Sequence, residues 1–261
     1  MKKDYSYFKS AVLERTGIDL SLYKERQMKR RLESLYKRHH FHSFRAFFHE
    51  GMLNDPVLLQ AFLDKMTINV SEFYRNKSRW DFFEEVILAE LKKKQQKLRF
   101  WSAACSSGEE AYTAAIIASK HRDLSDVSIV ATDIDMEALK KAEAGFYQEP
   151  SVREVPKKEK QRAFEQEANG YRIQSRFKET VRFQKHNLLA DPYPRGNDLI
   201  ICRNILIYFT GPAKDQIISG FNDALRIGGF LFVGNTEQIF SPETYGLEHV
   251  GNFFYRKRKD L

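Results

Sequence analysis

Five short runs, each closing on small or polar residues, constrain this chain more than any other feature of it. They are KLRFWSA (97–103), VSIVATD (127–133), VRFQKHN (181–187), DLIICRN (198–204) and FLFVGN (230–235). Their length and their content of β-branched and aromatic residues suit short buried strands. Most are separated by stretches with helical periodicity, Glu109–His121, Met136–Ala144 and Ala213–Ile227. Alternation of this kind predicts an α/β fold, an open parallel sheet with helices on both faces.

Before residue 77 the pattern is helical throughout, broken at Gly17-Ile18-Asp19, at His39–Ser43 and at Asn54-Asp55-Pro56. Asp55 is placed to cap a helix carrying Leu58, Leu59, Phe62, Leu63 and Met66. The expected organisation is a helical domain over 1–77 and an α/β domain over 78–261. The polar stretch of about 146–180 is too long for an ordinary connection and reads as an inserted subdomain. With 261 residues, 42% of them hydrophobic, the chain can bury a core of this size.

Several classes are disfavoured at once. The start, MKKDY, leads into an amphipathic segment rather than an apolar signal region, and no run approaches the roughly 18–20 apolar residues of a membrane span. A cytoplasmic protein without membrane insertion is expected. Cys105 and Cys202 lie far apart with no CxxC spacing, so no disulfide framework and no metal site is expected. A formal charge of +8 favours an acidic partner without choosing among nucleic acid, an anionic membrane surface and protein.

Where a ligand would sit follows from the fold. In open parallel sheets it lies beyond the carboxyl ends of the strands, and the first run ends in Ala103-Ala104-Cys105-Ser106-Ser107-Gly108, small residues that let a ligand approach the backbone. No G-x-G-x-x-G is present, and Glu109-Glu110 at the helix start would repel a pyrophosphate. The same residues would also make a tight turn with glutamates complementing the helix dipole. Asp133, at the tip of the second run, is placed to accept hydrogen bonds from both hydroxyls of a ribose, and Asp135 to cap the next helix. A ribose without a phosphate cradle points to S-adenosylmethionine.

Five segments, in order, resemble the CheR family of chemotaxis receptor methyltransferases: Thr67–Arg75 (TINVSEFYR), Trp101–Tyr112 (WSAACSSGEEAY), Thr132–Asp135 (TDID), His186–Leu189 (HNLL) and Asp198–Phe209 (DLIICRNILIYF). Ser71 and Tyr74 stand where the family commonly has Thr and Phe, which keeps a hydroxyl and an aromatic ring. The resemblance implies a class I S-adenosylmethionine-dependent methyltransferase sheet (Rossmann-like), an all-helical amino-terminal domain and a small β-rich inserted subdomain. It implies methylation of glutamate side chains of chemoreceptors, with S-adenosylhomocysteine as product. Carried over residue by residue, it implies that Asn69, Ser71, Arg75, Glu109, Asp133, Asn187, Leu188, Arg203 and Asn204 line the cofactor site. Asn187 would meet the adenine edge and Leu188 its face, while turn-forming roles compete for Asn187 and Asn204.

A glutamate acceptor is already ionised near neutral pH, so positioning rather than proton removal is the task. Arg75 is the natural clamp for a carboxylate, and Tyr208 could add a hydroxyl contact. On Tyr23–His39 a helical projection places Met28, Leu32 and Leu35 on one face and Arg26, Lys29, Arg30 and Lys37 on the other. The basic face is expected to steer the acidic methylation helices of receptors, the alternative being a solvated face. The tail Arg256–Lys259 reads as solvated, and a monomer is expected. A nucleic-acid methyltransferase would fit the net charge, but the Asn/Asp-Pro-Pro-aromatic tetrad of base methylation is replaced by Arg203-Asn204-Ile205-Leu206. A non-catalytic receptor adaptor is opposed by the intact Arg75, Asp133 and small-residue turn.

Overall fold

Helical periodicity in the first third resolves into Lys2–Thr16, Glu25–Arg38 and Pro56–Thr67. The computed structural model describes residues 2–67, 71–93 and 97–258. Asp55 caps as its position suggested, its carboxylate accepting the Val57 N–H at 2.8 Å. Phe8 lies at the centre of this region, fully buried, its ring 5.1 Å from Phe44 and 6.0 Å from Phe62. Met28, Leu32 and Leu35 are buried on the projected face.

The chain divides into two compact units, Met1–Asn69 with Ile207–Gln216, and Val70–Leu206 with Ile217–Leu261. A late segment therefore belongs to the helical unit. Backbone bonds fix it there: Lys24 N–H donates to the Tyr208 carbonyl at 2.8 Å and Thr210 N–H to the Leu22 carbonyl at 2.9 Å. The Tyr23 and Phe209 rings meet edge-on at 5.0 Å.

The second unit holds β1 (Leu98–Ala103), β2 (Val127–Asp133), β3 (Phe146–Tyr147), β4 (Phe164–Glu167), β5 (Gly170–Ile173), β6 (Val181–Lys185), β7 (Asn197–Cys202), β8 (Leu225–Val233), β9 (Leu247–Gly251) and β10 (Phe254–Lys257). Seven form one sheet in the order β6-β2-β1-β7-β8-β10-β9. The five expected strands pair in parallel, and β10 and β9 add antiparallel strands at one edge. Helices Glu109–Ala118 and Met136–Ala144 follow β1 and β2. The first of these is buried along its whole length, as an Ala-rich helix packed on a sheet can be. β3, β5 and β4 make the small antiparallel sheet of the insert.

Three expectations are corrected. The helix expected over Glu109–His121 ends at Ala118. The helix expected to end at Ile227 ends at Ala224, and Leu225–Ile227 begin β8. Arg256 and Lys257 are not a solvated tail but part of β10. Arg256 pairs with Glu90 at 2.7 Å, and the Lys257 ammonium donates to the Asn222 carbonyl at 2.8 Å. Lys259 lies outside the described residues. Among those described, no helix is long and apolar enough to cross a membrane.

Candidate active site

Parallel pairing aligns the carboxyl ends of β6, β2, β1, β7 and β8 along one sheet edge, since Ala103 pairs with Thr132, Asp133 with Lys185 and Cys202 with Val233. The loops leaving that edge carry most of the expected site residues. After β1 the chain turns through left-handed conformations at Ala104 (φ 57°), Ser106 (φ 50°) and Gly108 (φ 91°). A Cβ on Gly108 would stand 2.9 Å from the Ala142 Cβ and 3.1 Å from the Phe183 ring. Left-handed backbone at non-glycine residues is costly and persists only where surrounding contacts hold it.

Asp133 supplies those contacts. Its carboxylate accepts the Ser106 N–H at 2.7 Å and the Asp135 N–H at 3.0 Å, while Cys105 N–H donates to the Thr132 carbonyl at 2.9 Å. Burial pushes the Asp133 carboxyl up to about 6, against the lowering effect of these N–H donors. A carboxylate has about four lone-pair sites, so an acid that pins the loop can still accept further donors. Asp135 caps the next helix through the Glu137 and Ala138 N–H groups.

Glu109, 3% exposed, receives the Ser107 hydroxyl, which lies 2.8–2.9 Å from both its oxygens. Ser71 bonds the same carboxylate, and burial raises its pKa in spite of both partners. Glu110, which sequence reasoning left without a role beyond charge, is the partner of Arg203, with Nη1 and Oε1 2.7 Å apart. Burial raises the Glu110 pKa while Arg203 and Arg75 oppose it, so Arg75 lies within electrostatic reach.

The Arg203 side chain, expected to line the cofactor site, makes several internal contacts. Its guanidinium is fully buried, packed over Phe232 at 4.7 Å and Trp80 at 5.6 Å. Nη2 donates to the Arg75 carbonyl and to Asn76 Oδ1, both at 3.0 Å. Arg203 is thus a strut under the loop that presents Arg75. That loop is itself unusual, with Tyr74 at φ 55° and Asn76 at φ 60°, and the Tyr74 N–H is held by the Thr113 hydroxyl at 3.2 Å.

Asn204 also adopts a left-handed backbone, φ 62°. Its N–H donates to Glu237 Oε2 at 2.7 Å, and its side-chain Oδ1 is buried with no hydrogen-bond partner among the described residues. Glu237 has no counterpart in the sequence reading; its only trace there was a carboxylate shortly after the fifth run. Asn187 behaves as the turn residue that competed with its adenine role, Oδ1 accepting the Leu189 N–H at 3.0 Å. Leu188 is buried, and the His186 N–H bonds the Asp133 carbonyl at 2.9 Å, placing this turn beside Asp133. Asn69 lies outside the described residues.

In the helical unit, Tyr208 and the start of helix Glu25–Arg38 line one cavity of about 360 Å³ together with Lys24, Gln27, Met28, Arg30 and Arg31. Arg31, which sequence reasoning passed over, has its guanidinium 5.9 Å from the Tyr208 ring. Arg26 and Arg30 are exposed. Lys29 instead lies over the Tyr5 ring at 5.7 Å, and Lys37 pairs with Glu33 of its own helix at 3.1 Å. Arg26, Arg30 and Lys37 are exposed and Lys29 is half-buried, as residues of a basic helix face.

Two family models cover most of the chain. "CheR methyltransferase, all-alpha domain" matches residues 3–67, and "CheR methyltransferase, SAM binding domain" matches residues 69–252. The chain belongs to the CheR methyltransferase family. Over 258 residues it is 44% identical to the chemotaxis protein methyltransferases of Listeria monocytogenes and Listeria innocua, spanning 98% of each chain. The chemotaxis protein methyltransferase of Borreliella burgdorferi is 31% identical over 98% of this chain and 94% of its own.

As a member of the CheR family, this protein is an S-adenosylmethionine-dependent methyltransferase. Its strand-end residues fit the cofactor. Buried Asp133 is an acceptor for hydroxyl donors, and among the described residues the buried Asn204 amide oxygen has no donor. Glu109 and Glu110 in the first turn of the following helix disfavour a phosphate and favour a cation.

Proposed function

We propose that this CheR-family enzyme methylates glutamate side chains of membrane chemoreceptors in the cytoplasm, giving glutamyl methyl esters and S-adenosylhomocysteine as part of sensory adaptation. The observation that carries the reading is the presentation of Arg75. A buried ion pair of Arg203 with Glu110 is spent on gripping the Arg75 carbonyl, an arrangement suited to a guanidinium that must orient something. A planar guanidinium orients a carboxylate better than any other side chain does.

When bound, S-adenosylmethionine supplies a methyl group on a cationic sulfur, to which an ionised carboxylate can bond without first losing a proton. We assign Asp133 to the ribose hydroxyls, Leu188 to packing on the adenine, and Asn187, Asn204, Ser71 and Glu109 to the remaining cofactor contacts. Asn69 joins this set by family resemblance. Burial keeps water from screening the charge that Glu109 carries, whereas the charge of Glu110 is matched by Arg203. Arg75 aligns the acceptor carboxylate, and alignment alone can supply several kcal/mol, on the order of 7–11 in favourable cases. Tyr208 and the exposed Arg26 and Arg30 are assigned to the acceptor segment, whose glutamates they attract.

Radiolabelled methyl transfer, offered receptor-rich membranes and RNA as parallel acceptors, tests this reading. Label on the receptors that mild base releases as methanol supports it. Label on RNA would favour a nucleic-acid methyltransferase, and label on neither would favour a receptor adaptor.

A further inference from the structure

Glu237 stands in the loop after β8, is 6% exposed, and is used by none of the assignments above. Its Oε2 accepts two backbone N–H groups, from Gly234 at 2.8 Å and from Asn204 at 2.7 Å. Gly234 is the first residue after β8, and Asn204 lies two residues after β7. These strands are neighbours in the sheet, so one carboxylate oxygen ties their two ends together.

Gly234 independently marks how closely this tie is built. A Cβ there would stand 2.5 Å from Glu237 Oε2 and 2.9 Å from the Asn204 nitrogen, so the carboxylate occupies space that any other residue would fill. The dipeptide Arg203-Asn204 is consequently held by two carboxylates. Glu110 takes the Arg203 side chain and Glu237 the Asn204 backbone.

We propose that Glu237 is a positioning residue of the cofactor site, a clamp that keeps Asn204 in its left-handed conformation so that the buried amide oxygen is presented to an N–H donor of the cofactor. A left-handed backbone at a non-glycine residue has to be held by its surroundings. A carboxylate that accepts two N–H groups holds it more firmly than a neutral acceptor, because hydrogen bonds to charged groups are the stronger kind. The clamp acts through Asn204 and does not itself touch the cofactor.

Calorimetric titration with S-adenosylhomocysteine tests this on the full chain and needs no methyl acceptor, so its result is separate from the identity of the substrate. Glu237→Ala should weaken binding roughly 10- to 100-fold, the scale of losing one or two charge-assisted bonds. Glu237→Gln, which keeps a carbonyl acceptor, should recover binding to within about tenfold of the original protein. Gly234→Ala should weaken binding as well, and combined with Glu237→Ala should cost much less than the product of the two separate losses, because both changes act on one contact. If Glu237→Ala proves too unstable to titrate, Glu237→Gln and Gly234→Ala decide. Variants that melt earlier yet bind S-adenosylhomocysteine with unchanged affinity would show Glu237 to be merely structural and overturn the proposal, as would fully multiplicative effects of Gly234→Ala and Glu237→Ala.

Discussion

Asp133 connects the loop, the cofactor and pH in a single side chain. Its carboxyl is raised to about 6 by burial, above the ordinary value near 3.9. For a raised acid, the stabilisation of the apoprotein is full below about pH 4 and is lost as pH rises through about 6. Cofactor binding should run the other way, since ribose hydroxyls donate to the ionised form. Affinity for S-adenosylhomocysteine, followed by calorimetry, should fall about tenfold from pH 7 to pH 5, the change in the ionised fraction for a group titrating near 6. An unchanged affinity would remove Asp133 from the ribose. Arg75→Ala belongs to the same scale. If Arg75 aligns the acceptor, the single-turnover rate of Arg75→Ala at saturating cofactor and receptor should drop by a factor on the order of a hundred.

At the scale of elements, helix Glu25–Arg38 is where charge and packing part. Its buried face was legible because apolar residues recur with helical spacing, and Met28, Leu32 and Leu35 lie inward. Its basic face was legible in its spacing, which also puts Glu33 four residues before Lys37, but not in its tertiary neighbours, and Lys29 has such a neighbour in Tyr5. Reversing Arg26 and Arg30 to Glu should therefore raise the apparent KM for receptor while leaving the saturated rate almost intact. Reversing Lys37 should do less. The effect on KM should shrink with added salt, exposed charges being screened beyond roughly 8–10 Å at physiological ionic strength. A reduced saturated rate at every salt concentration would contradict a steering role.

Across the whole molecule, the parallel strands were legible for a physical reason. Strands such as Asn197–Cys202, buried along their full length, write their burial into an almost continuous apolar run. The antiparallel strand β10 left a weaker mark, since Arg256 and Lys257 are basic and find their partners in Glu90 and Asn222, remote in sequence. The return of Ile207–Gln216 to the helical unit and the carboxylates Glu110 and Glu237 were not readable for the same reason. Each acts through a partner, such as Arg203 or Asn204, that only the folded chain brings near. What was readable of the candidate site was local, the small-residue turn, the acid at the tip of β2 and the arginine after Phe73-Tyr74, whose roles toward the cofactor and acceptor are proposals.

On the proposed function, catalysis positions an acceptor carboxylate that is already ionised and removes no proton from it. Its most direct measurement is the single-turnover methylation rate against pH, with cofactor and receptor both saturating so that the titration of Asp133 is confined to binding. The rate should be nearly flat from about pH 6.5 to 8.5, because a glutamate acceptor titrates near 4.3, well below that window. A bell-shaped profile centred near neutrality would reveal an essential base and contradict the account.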